Sequence, residues 1–240
     1  MLVLIYDGTC NGFYTAVFDG WRKECIITED EKSLRLGDEG VYVQTDEVKA
    51  TRVSKKLKSI SPLQEKNIRT VLRCNRTDKA QVAYEYLRLV LSYGASASER
   101  LSEKSVRIFF DYLKKIKVEE EHLLGFLRFT ECADGILYAP CSPDHDILEL
   151  LLPHFTDRLH GQKFVIHDVS RKKAALYNGE RVLIVPLDRA EITLSENEGK
   201  FLALWREYYD SVNIPARQNL AQMKRSMPVR YWKFMSEKAR

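Results

Sequence analysis

FVIHDVSRKKAALYNGERVLIVPL, residues 164–187, contains three strand-length runs, Phe164 to Asp168, Lys172 to Tyr177 and Arg181 to Leu187, with turn-forming residues between them. Asn178-Gly179 occupies the second break, and this dipeptide accepts the positive φ angles of a tight hairpin turn. An antiparallel meander is predicted. Upstream, Gly125 to Glu131 and Ile136 to Ala139 read as two strands around the turn Ala133-Asp134-Gly135. Between hairpin and meander, Ile147, Leu150, Leu151 and Phe155 form one helical stripe, with Asp146 and Glu149 as a capping pair. The second half is therefore expected to be a mostly antiparallel ββαβββ unit.

The first half reads differently. Leu2 to Tyr6 is a short apolar strand, and Asp7-Gly8-Thr9 supplies the turn and cap for a helix carrying Phe13, Val17 and Trp21. Val41 to Gln44 reads as the next strand, and Thr45 or Asp46 can cap the helix after it. This opening is βαβ-like. Ser61-Pro62 with Gln64 starts a further helix, and helices dominate to about Glu121, with Tyr84, Leu87 and Leu91 on one face and Val106, Phe109, Phe110 and Leu113 on another. At the far end, Ser195 to Glu198 resembles a capping box for a helix that would bury Phe201, Leu204, Trp205 and Tyr208, with Pro215 as its stop and a basic, partly helical tail beyond. The fold class expected is α+β: a βαβ-like opening, central helices, the ββαβββ unit and C-terminal helices. It is read as one domain over residues 1–240, with 1–121 and 122–240 as the alternative division.

A net charge of +4 conceals segregation. Lys49 to Lys79 holds ten cations against Glu65 and Asp78, a net +8; Arg217 to Arg240 holds seven against Glu237, a net +6; the remainder carries −10. Such segregation suits an acidic partner such as DNA, and equally a solvated helix face. The five cysteines form no C-x-x-C pair and read as free thiols of a reducing compartment, so a cytoplasmic protein is expected. Charges interrupt every hydrophobic run before it reaches membrane-spanning length, and Met1 to Tyr6 lacks the basic start of a signal peptide. No membrane association is expected.

Several motifs have both a chemical and a structural reading. Asp7 ends a strand, where sheets often build sites, but it also suits a helix-capping turn. His122, with Glu121 and Arg128, can form a charged site or simply sit at a helix C-terminus. Pro143-Asp144-His145-Asp146 concentrates oxygen and nitrogen donors without an established ligand spacing, and no metal is assigned. His154 and Arg158 are helical neighbours able to grasp a phosphate, while the register of His154 favours a core histidine. Asp168 and Arg171 flank the first meander turn and can pair across it. The tail interleaves Lys224, Arg225, Arg230 and Lys233 with Tyr231 and Trp232, a combination that neutralises phosphates and stacks on bases; the same aromatics can instead anchor a terminal helix.

Together these residues resemble a DNA-metabolism family whose members accompany a radical-SAM protein and are in some cases joined to a uracil-DNA glycosylase domain. The resemblance runs almost end to end, through Tyr6-Asp7-Gly8-Thr9, Glu121-His122, Gly125 to Phe129, Tyr138-Ala139, Pro143-Asp144-His145, His154-Phe155 with Arg158, Asp168, Arg171, Tyr177, Leu204-Trp205 and Pro228 to Lys233. Cys10, Leu123 and Phe164 depart from the pattern. It implies a DNA repair or modification role, with DNA, a radical-SAM protein and a uracil-DNA glycosylase as partners. It carries no reaction with it.

The chain has no iron-sulfur cysteine triad, zinc-deaminase signature, H-E-x-x-H or G-x-S-x-G. No cofactor is expected, and any radical chemistry would belong to the partner. The leading expectation is a nucleic-acid-binding accessory factor using Arg128, Arg158, Arg171, Lys224, Arg225, Arg230, Tyr231, Trp232 and Lys233. The alternatives are an enzyme acting on damaged bases or DNA ends through Asp7, His122, Asp144, His154 or Asp168, and a scaffold that binds protein rather than DNA.

Overall fold

A computed structural model describes residues 1–212, 214, 217–235 and 238. The chain is α+β and divides into two compact units, Met1–Lys117 and Val118–Arg240. Among the described residues no helix is long and apolar enough to cross a membrane.

Unit 1 contains β1 (Leu2–Ile5), α1 (Cys10–Gly20), β2 (Cys25–Thr28), β3 (Glu39–Tyr42), α2 (Glu47–Ile60), α3 (Pro62–Val71), α4 (Lys79–Tyr93) and the first part of α5 (Lys104–Phe126). Its sheet has the order β2-β1-β3, parallel throughout. Central β1 is the unbroken apolar run LVLI, as expected of a strand covered on both faces. The sequence reading missed β2 because CIIT is only four residues long and lies among charges; β3 starts at Glu39 rather than Val41. Caps form where the side chains allow them. Thr9 accepts from the Gly12 N–H, Asp46 from the Val48 and Lys49 N–H groups, and Ser61 from the Gln64 N–H ahead of α3. Tyr86 of α4 stacks on Phe109 of α5 with ring centroids 3.9 Å apart, both fully buried.

Unit 2 begins within α5 and continues through β4 (Thr130–Glu131), β5 (Leu137–Cys141), α6 (Leu148–Arg158), β6 (Phe164–Asp168), β7 (Lys173–Tyr177), β8 (Val182–Pro186), α7 (Glu198–Ser211) and α8 (Leu220–Ser226). The sheet order is β4-β5-β6-β7-β8; only β5 and β6 pair in parallel, as the intervening α6 requires. Gly179 takes φ +100°, and the Asn178 side chain accepts from the Glu180 and Arg181 N–H groups, so the Asn-Gly hairpin forms as expected. Phe164 lies within 6 Å of Phe129 and Tyr177 on the core face of the sheet.

Three local expectations are corrected. The strand read over Gly125 to Glu131 shrinks to Thr130–Glu131, because Ile116, Glu119, Leu123 and Leu127 form a buried helical stripe that carries α5 past Gly125. Neither proposed capping pair caps its helix. Asp146 instead bonds Lys173, while Glu198 accepts from the Glu131 N–H and Ser195 donates to the Glu131 carboxylate. The α7 stripe of Phe201, Leu204, Trp205 and Tyr208 is exposed rather than buried, at 62% for Phe201. Pro215 lies outside the described residues.

Candidate functional site

β5 and β6 run parallel and end side by side, so the loops leaving Cys141 and Asp168 converge at one edge of the unit 2 sheet. Asp168 is fully buried, and its carboxylate accepts from the Arg171 backbone N–H at 3.2 Å and from Arg171 Nη1 at 3.0 Å. The same guanidinium donates to the carbonyl oxygens of Pro143 and Asp144. Arg171 therefore ties the loop after β5 to the end of β6.

Glu119 completes the arrangement from α5. It is 2% exposed, and its carboxylate accepts from the Asp144 and His145 N–H groups at 2.8 Å, from Arg230 Nη2 at 2.8 Å and from the Tyr231 hydroxyl at 3.2 Å. Arg230 also bonds the Asp144 carboxylate. Burial pushes the Tyr231 hydroxyl up to about 12, keeping it a proton donor to Glu119 at neutral pH. Burial likewise pushes the Cys141 thiol up, so the adjoining cysteine is protonated and a poor nucleophile. The His145 imidazole is pushed down by burial, against the pull of Glu119 and Asp144.

The expected candidates are thus divided. Asp144, Asp168, Arg171, Arg230 and Tyr231 share one network, in which every carboxylate is matched by a cation or N–H donor. Such a network locks loops and tail together and leaves no carboxylate poised as a free base. His122 lies at its border, its ring 5.7 Å from Phe126 and 6.2 Å from Tyr231. His154 is exposed, its ring edge against Phe155, and is not the core histidine its register suggested; Arg158 is exposed one turn later. Arg128 bonds the Gly125 carbonyl and lies 5.9 Å from the Trp205 ring. Asp7 belongs to unit 1, where its two carboxylate oxygens take bonds from Thr9 and Thr45. Partial burial raises the Asp7 carboxyl, but these bonds outweigh it and hold it below the usual carboxylate value. A side chain at position 12 would run into Asp7, so Gly12 is part of this turn.

Sequence reasoning passed over Glu119 inside the acidic run Glu119-Glu120-Glu121, although one signal was available. It stands three residues after Ile116 and four before Leu123, a core register where an unpaired carboxylate is costly. His167 was passed over as well. It lies on the face opposite Asp168, where Nε2 donates to the Leu187 carbonyl at 3.0 Å and Nδ1 is hydrogen-bonded with the Tyr138 hydroxyl at 2.7 Å.

The tail turns from this network into an open cleft of about 680 Å³, lined by Tyr209, Arg217, Asn219, Gln222, Trp232 and Lys238 among others. The Lys238 ammonium lies 4.6 Å from the Tyr209 ring centroid and 5.6 Å from that of Trp232, and it bonds the Tyr209 hydroxyl. Lys224, Arg225 and Lys233 are exposed nearby in sequence, with no ion pair among the described residues. Tyr231 and Met235 are buried, so the tail anchors through them while presenting these three cations to solvent.

A family model described as a domain of unknown function, DUF4130, matches residues 77–237. The chain belongs to the DUF4130 family. The match takes in α4 and α5, the unit 2 sheet, the Glu119 network and the tail cleft except Lys238, and it leaves β1 to β3 outside. No curated protein matches this DUF4130 chain.

Proposed function

We propose that the protein is a nucleic-acid-binding accessory factor in DNA repair or modification, working beside a radical-SAM enzyme that supplies the redox chemistry. The observation that carries the binding is the tail cleft. Tyr209 and Trp232 offer aromatic faces for bases, Asn219 and Gln222 offer amides for base edges, and Arg217 and Lys238 with the outward Lys224, Arg225 and Lys233 offer charge for phosphates. Glu119 holds Arg230 and Tyr231, so in this reading the two position the cleft, with Tyr231 as the anchor its sequence also allowed. The radical-SAM and uracil-DNA glycosylase partners rest on the family resemblance alone.

The test is a titration of labelled single- and double-stranded DNA with the full chain across a salt series. Binding at low salt should weaken steeply as salt rises, with about 0.7 units of log-log slope per single-strand phosphate neutralised. The variant Lys224→Glu/Arg225→Glu should weaken it further. A chain that binds neither DNA form, yet co-purifies with a radical-SAM protein, would replace this reading with the protein-scaffold one.

A further inference from the structure

We infer that unit 1 carries a second binding surface, for single-stranded nucleic acid, in the groove between the end of α1 and the outer face of α2. This goes beyond the tail cleft, since it uses other residues, and those named here precede the family match at residue 77.

α1 ends at Gly20, and the turn beyond it projects Trp21, Arg22 and Lys23. Trp21 is 41% exposed, an unusual state for an indole next to a fully formed core. On α2, Lys49, Arg52 and Lys56 follow one another at spacings of three and four residues, so they line one face over about 10 Å of helix. Between these two rows lies an open groove of about 510 Å³ whose lining includes Phe18, Trp21, Arg22, Lys23, Arg52 and Lys56. The Arg52 guanidinium lies 5.6 Å from the Phe18 ring and the Lys49 ammonium 5.8 Å from it, so the aromatic floor already has cations over it.

The charge of the groove is uncompensated. Asp19, the one acidic residue lining it, is bonded to Lys49 at 2.8 Å. Arg22, Lys23, Arg52 and Lys56 are exposed and have no ion pair among the described residues. Lys55 flanks Arg52 on the same helix, outside the groove lining.

An aromatic floor with a rim of free cations matches a polyanion that also has flat faces to stack. Single-stranded nucleic acid has both, because its bases are not hidden in pairs. A membrane surface suits the groove less well, as the exposed side of α2 has too few apolar residues to enter a bilayer. An acidic peptide would satisfy the rim but leave Trp21 unused.

Trp21, Trp205 and Trp232 are the three tryptophans of the chain, so replacing the latter two by Phe leaves Trp21 as the only indole. In that protein, a single-stranded oligothymidylate is expected to quench Trp21 emission, whereas poly-glutamate and duplex DNA are not. In the otherwise unchanged chain, Arg52→Glu/Lys56→Glu is expected to weaken single-strand binding about tenfold at low salt and to reduce the salt slope by about 1.4, two phosphates' worth. Unchanged affinity in that exposed-surface variant, or quenching by poly-glutamate equal to that by the oligonucleotide, overturns the inference. The tail variant Lys224→Glu/Arg225→Glu separates the two surfaces. Trp21 quenching that persists in the Trp21-only protein carrying the tail variant supports the unit 1 groove by itself, and a silent Trp21 there, with tail-dependent binding measured in the chain that keeps Trp232, removes it while sparing the tail cleft.

Discussion

The two units keep their interiors together by different means. In unit 1 a parallel sheet is flanked by helices, and its largest buried side chains are aromatic and aliphatic, with Tyr86 stacked on Phe109. Unit 2 has an apolar sheet core as well, but the edge where β5 and β6 end is closed by Glu119, Asp168, Arg171 and Arg230. Apolar packing tolerates imprecise partners, because dispersion and solvent exclusion have no direction. A buried ionic network does not, because each member left alone must be desolvated without compensation. Among the described residues, unit 1 also buries one carboxylate, Glu65, held by Arg69 and Ser54, but its sheet edges carry no such network; it should therefore fail mainly in proportion to lost volume, and unit 2 when a single donor is removed.

The most forceful way to break this contrast is to cut volume from unit 1. Phe109→Ala should cost about 3–5 kcal/mol, the usual loss for a buried phenyl group. Hydrogen exchange should show the loss in β1, β2 and α4, and a cost below 1 kcal/mol would mean that the aromatic stack is not what holds the unit. Arg230→Ala tests the other side. It leaves a nearly buried Glu119 without its cation and should cost about 3 kcal/mol, the lower end for a broken buried pair because Arg230 is itself partly exposed. Protection should fall in β5, β6 and the Val229–Phe234 turn; protection that stays the same there would show that water already screens Glu119.

The smallest effect concerns pH. His145 has a lowered proton affinity in the folded chain relative to its ordinary value of 6.5, so the unfolded chain binds its proton more readily. Unit 2 stability from this group is then complete above 6.5 and declines as pH falls through that value toward the folded pKa. His145→Asn should flatten that part of a denaturation profile; an unchanged slope would assign the pH dependence to other groups.

What could be read from sequence follows from how local each cause is. The Asn178-Gly179 hairpin, the Asp134-Gly135 turn and the Asp46 and Ser61 caps are fixed within four residues, and each forms where its residues indicate. The α7 stripe shows the limit of amphipathicity, which announces an apolar face without saying that anything covers it. The network was half legible. Asp144, Asp168, Arg171, Arg230 and Tyr231 stood out as polar residues in a shared pattern, but their joining residue did not, since Glu119 looks like any acid in a solvated helix until the tail is seen to reach it.

That reach bears on how the chain is made. Glu119 meets Arg230 across 111 residues of sequence. At a synthesis rate of about 5–20 residues per second, roughly 6 to 20 s pass between the emergence of the carboxylate and that of its cation. For that interval the β5 and β6 strands can pair and Arg171 can hold Asp168, but Glu119 stays without its cation until Arg230 has emerged.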